Sequence, residues 1–152
     1  FYMKKINALL FTLAILFSVN LNAANADVLG SANYKKIEQN YNYAKTVYKQ
    51  VDDKVLDLQK FLMQKEKDYK KIESPIKRKN FEEQTQKEYK AKEDAVLKYK
   101  VAKEEEVYNN IINATKAIAK EKKIDTVIDY RMIFVGGVDL TDEIIKYLNT
   151  KK

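Results

Sequence analysis

Residues 37–62 read IEQNYNYAKTVYKQVDDKVLDLQKFL. Ile37, Tyr41, Ala44, Tyr48, Val51, Val55, Leu58 and Leu62 follow one another in steps of 4, 3, 4, 3, 4, 3 and 4. That spacing is a heptad seam, and it puts the apolar side chains on one stripe of an α-helix. The intervening positions are mostly Lys, Gln and Asp, as on a solvated face. The same phase continues more weakly through Lys65, Tyr69 and Ile72. One helix of roughly 40 residues, Asn33 to Glu73, is the expectation, about 60 Å long at 1.5 Å per residue.

Ser74-Pro75 interrupts the pattern. Proline inside a helix costs about 3 kcal/mol, yet it suits the first position of a new helix, with serine before it as N-cap. A second helical run therefore goes from Ile76 to Lys122. Phe81, Thr85, Tyr89, Val96 and Tyr99 lie roughly on one face, and Val107, Ile111, Ala114 and Ile118 resume a clean repeat. Two helices joined by a short turn pack antiparallel. The well-packed end holds residues 37–62 and 107–118, and the tip, near 74–79, carries Lys77, Arg78 and Lys79. An intermolecular parallel coiled coil is the alternative arrangement.

After Lys123 the apolar period changes to 2. Thr126 to Tyr130 reads as a strand, and Arg131 to Val135 as a second strand or a bent continuation. Gly136-Gly137 is a turn, and Thr141 caps a short closing helix that turns Ile144, Ile145 and Leu148 inward. Asp27 to Asn33 supplies a weak further strand, because Gly30 and Asn33 sit in it. The fold class is mostly α with a small β body. Two or three strands with one helix make a poor core alone, so association of several copies through this body is expected.

Composition agrees. The chain has 152 residues, enough for one domain, with one Pro, three Gly, no Cys and no His. The scarcity of Pro and Gly argues against a sandwich or barrel. Without Cys or His there is no thiolate nucleophile and no imidazole base or ligand. Adjacent acids such as Asp52-Asp53 do not converge on a substrate, and Gly136-Gly137 lacks a phosphate-loop context. The chain reads as no enzyme, with no cofactor. Its lysines are interleaved with Glu rather than clustered, so nucleic acid is not the expected partner.

Residues 1–26 read as an address. Met3, the first methionine, precedes Lys4-Lys5, an apolar run from Ile6 to Val19, and Ala24-Asn25-Ala26. This is the layout of a cleavable secretory signal peptide. Removal takes away two lysines and no acid, leaving 27 basic against 22 acidic residues, a net +5 instead of +7.

Lys122-Lys123-Ile124-Asp125-Thr126-Val127-Ile128-Asp129, followed by Asp139-Leu140-Thr141 and an amphipathic terminal helix, resembles the C-terminal signature of the Skp/OmpH family of periplasmic chaperones. The order of parts resembles that family over residues 27–152; the close sequence likeness covers about 35 residues at the C-terminus. The resemblance implies a homotrimer. Residues 27–33 and 123–152 would form a β trimerisation body, from which hairpins of residues 34–122 hang as tentacles around a cavity. It implies a periplasmic, ATP-independent holdase for unfolded outer-membrane proteins. The family's basic lipopolysaccharide cluster does not carry over, because Lys98 to Glu106 mixes Lys98, Lys100 and Lys103 with Glu104, Glu105 and Glu106. The candidate client-binding residues are Lys77, Arg78 and Lys79 at the tip, and Tyr69, Tyr89 and Tyr99 on the tentacle faces; tyrosine offers apolar area at little entropic cost. The tip is also a candidate for contact with an anionic lipid surface. A structural coiled-coil envelope protein without chaperone activity is the competing reading.

Overall fold

The computed structural model describes residues 28–150. The signal-peptide reading of residues 1–26 lies outside them. The order of elements is β1 (Leu29–Ala32), α1 (Tyr34–Asn40), α2 (Asn42–Lys70), α3 (Pro75–Glu121), β2 (Thr126–Asp129), a single 3-10 turn (Tyr130–Met132), β3 (Val138–Asp139) and α4 (Thr141–Thr150). The protein is mostly helical, with a small parallel sheet at one end of a long hairpin.

Pro75 opens α3 at its first turn, as its fixed φ favours. Ser74 occupies the cap position without a side-chain hydrogen bond; its carbonyl accepts from the Arg78 N–H at 2.9 Å. α3 is 47 residues long, about 70 Å at 1.5 Å per residue. Cross-hairpin partners fix its antiparallel register against α2: Tyr43 with Glu106, Gln50 with Tyr99, Lys65 with Glu88, Tyr69 with Phe81. α3 ends on Lys123 in the left-handed region (φ 58), with the Ile124 N–H turned back to the Ala119 carbonyl at 2.9 Å. That closure drops Ile124 into the core.

The expected single helix from Asn33 to Glu73 is two helices. Tyr41 is extended (φ −80, ψ 115), with no proline or glycine near it. The break is bridged from the far end of the chain. The Asn149 carboxamide enters the gap, donating to the Asn40 carbonyl at 2.9 Å and accepting from the Asn42 N–H at 2.8 Å. It thereby satisfies one orphan group on each side of the break.

The break also rotates the seam. α2 buries Ala44, Val47 and Val51, so Val47 replaces the expected Tyr48, which is half-buried. Farther out, Phe61 is half-buried where Leu62 was expected, and Val55 and Leu62 are 40% and 42% exposed. Lys65, Tyr69 and Ile72 are half-buried, as the weaker continuation predicts.

The core is one cluster at the body end. Ile37 of α1 and Ala44 and Val47 of α2 meet Val107, Ile111, Ala114 and Ile118 of α3, and Ile124, Leu140, Ile144 and Leu148 close it. On α2 no residue beyond Val51 is buried, and on α3 none before Val107. The outer hairpin therefore has a one-sided seam, and its local stability is lower than that of the body.

β1 lies in the centre of the sheet, parallel to β2 on one side and β3 on the other. The residues that weaken it on paper are needed there. A Cβ at Gly30 would stand 3.0 Å from Ile124 Cγ2 and 3.2 Å from Val127 Cγ2. Asn33 caps α1, its carboxamide oxygen accepting from the Lys36 N–H at 2.9 Å. Arg131 to Val135 forms no strand. The Asp129 carboxylate accepts from the Arg131 N–H at 2.9 Å and from its guanidinium at 2.8 and 3.0 Å, which bends the chain into the 3-10 turn. The third strand is Val138–Asp139, beyond Gly136-Gly137, whose φ values of 86 and 84 suit glycine. Thr141 does not serve as the cap but is the first residue of α4. Asp139 accepts its N–H, and the Thr141 hydroxyl accepts the Asn33 N–H at 2.9 Å, tying β1 to α4.

Candidate interaction surfaces on the hairpin and the body

Two of the candidate tyrosines meet in one place. Tyr69 of α2 and Tyr89 of α3 line an open groove of about 380 Å³ near the turn, with Leu62, Phe81 and Thr85. The Tyr69 and Phe81 rings are 6.3 Å apart and tilted. Lys65 lies across this groove, 5.4 Å from the Phe81 ring centre and 5.1 Å from Phe61, with its ammonium 2.6 Å from Glu88. Arg78 stands over Tyr69 at 5.5 Å and donates to the Ile72 carbonyl at 2.6 Å. Cations above ring faces hold side chains in place while leaving ring edges open. The hydrogen bond from Tyr69 to Glu82 raises the Tyr69 phenol above its usual range.

Thr85 lines the groove, and its enclosed hydroxyl oxygen has no hydrogen-bond partner among the described residues. An enclosed, unsatisfied hydroxyl is destabilising. Thr85→Val is therefore expected to raise hairpin stability by about 1 kcal/mol, read as a higher midpoint in thermal or urea unfolding.

Lys77 and Lys79 are exposed and have no ion-pair partner among the described residues. Residues 60–92 carry 11 Lys and Arg against 6 Asp and Glu, whereas the rest of residues 27–152 balances at 16 against 16. The whole net +5 of that span therefore belongs to the outer hairpin.

Tyr99 does not join the groove. Its hydroxyl donates to Gln50 at 2.6 Å, and Lys54 covers its ring at 4.5 Å. The tyrosines nearer the body are likewise occupied. Tyr48 and Tyr34 both donate to the Glu38 carboxylate, at 2.6 and 3.4 Å. Burial first, then Glu38, pushes the Tyr34 phenol up to about 12. Tyr43 donates to Glu106 at 2.6 Å and accepts from Lys103 at 2.9 Å.

Aliphatic side chains that the heptad reading assigned to the core, or passed over, form a second hairpin surface, which meets the groove at Leu62. Val55, Leu56, Leu62 and Met63 of α2 are exposed, and so are Leu97 and Val101 of α3. Positions 55 and 62, and 56 and 63, are seven apart, so they form two parallel rows on one side of α2. The signal that separates them from the core is the alternative row through Val47 and Phe61.

A third surface is on the body. Met132 is 77% exposed and Val135 84%, Phe134 is fully exposed, and Val28, Leu29 and Val138 at the strand ends are open. Among the described residues, β2 and β3 each have one unpaired edge. Contiguous exposed apolar residues of this kind mark association surfaces. No helix among the described residues is long and apolar enough to cross a membrane. No family model matches the chain, and no curated protein shows a significant match to it.

Proposed function

We propose that the protein is an ATP-independent holdase of the periplasm, which receives unfolded outer-membrane proteins between the hairpins of a homotrimer and keeps them from aggregating. The observation that carries this reading is the outer hairpin, where exposed aliphatic rows run beside an excess of unpaired positive charge. Many weak apolar contacts hold an unfolded chain without selecting one sequence, and long lysine stems add apolar area while their charges stay wet. Net positive charge draws acidic chains in from a distance. The open apolar loop of the body supports self-association, and the leader-like residues 1–26 support export.

The test is dilution of a denatured outer-membrane barrel into buffer with and without the protein lacking residues 1–26, followed by light scattering. Suppression at a small excess of trimer is expected. Undiminished scattering would overturn the holdase and leave the structural coiled coil. Sedimentation checks the assembly separately, where a mass other than three chains contradicts the trimer.

The tip gives a graded prediction. Replacing Lys77, Arg78 and Lys79 by Gln weakens binding of an acidic client, or of anionic lipid vesicles, roughly tenfold or more at low ionic strength. The difference shrinks at high salt, because exposed charges are screened. Unchanged binding at low salt removes the tip from the mechanism.

A further inference from the structure

The amino-acid sequence contains two interleaved heptad ladders in the first half of the hairpin. Both use Ala44, Val51, Leu58, Lys65 and Ile72. One adds Tyr48, Val55, Leu62 and Tyr69, and runs straight on from Ile37 and Tyr41. The other adds Val47, Phe61 and Asp68. α2 turns the second ladder toward α3; of the first, Tyr48 and Tyr69 stay half-buried, while Val55 and Leu62 are 40% and 42% exposed. The first ladder is the one an unbroken helix from α1 into α2 would present. The two choices differ by one residue along one edge, which is a rotation of α2 by about 50°, half the step of 100° between neighbouring residues.

What selects between them is at Tyr41. Nothing covalent imposes the break, since residues 34–70 contain neither proline nor glycine. Breaking there forgoes the helical bonds that the N–H groups of residues 42–44 would make to the carbonyls of 38–40. Asn149 replaces part of that loss by bonding to both Asn40 and Asn42. The Asn149 side chain is delivered by α4, whose Ile144 and Leu148 are buried and whose Asp142 and Glu143 pair with Lys36 and Lys122, each at 2.7 Å.

We propose that Asn149 is the latch of a two-position hairpin. Engaged, it holds the first helix broken at Tyr41 and exposes the Val55 and Leu62 row. Released, it lets α1 and α2 join, and α2 turns that row inward. The C-terminal helix thereby governs how much aliphatic surface the outer hairpin offers, whatever the hairpin binds. This is a discrete repacking between two complementary edges, the kind of transition that packed helices support.

The absence of cysteine makes the test clean. Leu62→Cys and Phe61→Cys are introduced singly and their alkylation rates compared, with Asn149 intact and with Asn149→Ala. With Asn149 intact, position 62 reacts faster than position 61. With Asn149→Ala the order inverts, and the ratio of the two rates changes at least about tenfold as the population moves. Amide hydrogen exchange provides the second measurement. Joining the helices gives residues 42–44 helical acceptors, so their protection rises in Asn149→Ala. Faster alkylation at both sites, unchanged ratios, or lower protection at residues 42–44 would each overturn the latch, because each means that removing Asn149 only loosens the body or does nothing.

Discussion

Leu140→Ala destabilises the protein by about 3 kcal/mol, a large share of the total for one domain. Leu140 has no exposed surface and belongs to the cluster that packs α4 against α1, α2 and α3. Its N–H donates to the Ser31 carbonyl at 2.9 Å, its carbonyl accepts from Ile144, and its Cδ1 stands 3.3 Å from where a Cβ at Gly30 would be. The side chain therefore fills the space between the central strand and α4 at the point where the glycine lets them approach. Truncation leaves a cavity that the surrounding sheet cannot collapse into, since β1 is held on both sides. Leu62→Ala is the control, because its side chain is 42% exposed and its loss is expected to cost no more than about 0.5 kcal/mol. Urea unfolding followed by circular dichroism measures both. Equal effects for the two leucines would mean that the body is not the stability centre of the chain. If the body carries the proposed trimer, its loss also dissociates the assembly, so sedimentation of Leu140→Ala is expected to show dissociation where Leu62→Ala does not.

The parts of this fold that the sequence made legible are those whose causes are local. Pro75 stops one helix and starts another by its own ring geometry, so the turn was readable to within a residue or two. Gly136-Gly137 marked its turn for the same reason. The break at Tyr41 was not readable, because the carboxamide that bridges it is 107 residues away from Asn42. With the break went the phase of the seam, and with the phase went the assignment of Val55 and Leu62. Residues 131–135 have the composition of a strand but pair with no strand among the described residues, and Asp129 bends the chain before one could form. β1 was the reverse case: Gly30 looks like a weak strand residue until the three side chains crowding it are known. Among the candidate contact residues, helical spacing brought Tyr69 and Tyr89 to one groove across the turn. Tyr99 was drawn off by Gln50 on the facing helix, a pairing that depends on inter-helix register rather than on spacing within one helix.

Under the proposed holdase function, replacing Val55, Leu62, Leu97 and Val101 together by Ser abolishes suppression of client aggregation while leaving the fold intact. All four are 40% exposed or more, so their removal takes little from the core. Serine lowers helix propensity by a few tenths of a kcal/mol at each site, a modest cost for the hairpin. Binding loses more. An unfolded chain lying along these rows would bury each side chain further, and even partial burial is worth about 1 kcal/mol apiece. Four such losses weaken binding by at least about tenfold and as much as a thousandfold. The charges of residues 60–92 are untouched in this variant, so long-range attraction persists and only the short-range grip is removed. The two contributions therefore separate by kinetics: the serine variant should associate with an acidic client nearly as fast as the original and release it much sooner, whereas neutralising Lys77, Arg78 and Lys79 should slow association. Stopped-flow anisotropy with a labelled client resolves the two rates. A serine variant that suppresses aggregation as well as the original would place the apolar grip elsewhere, with the groove of Tyr69, Phe81 and Tyr89 as the next surface to remove.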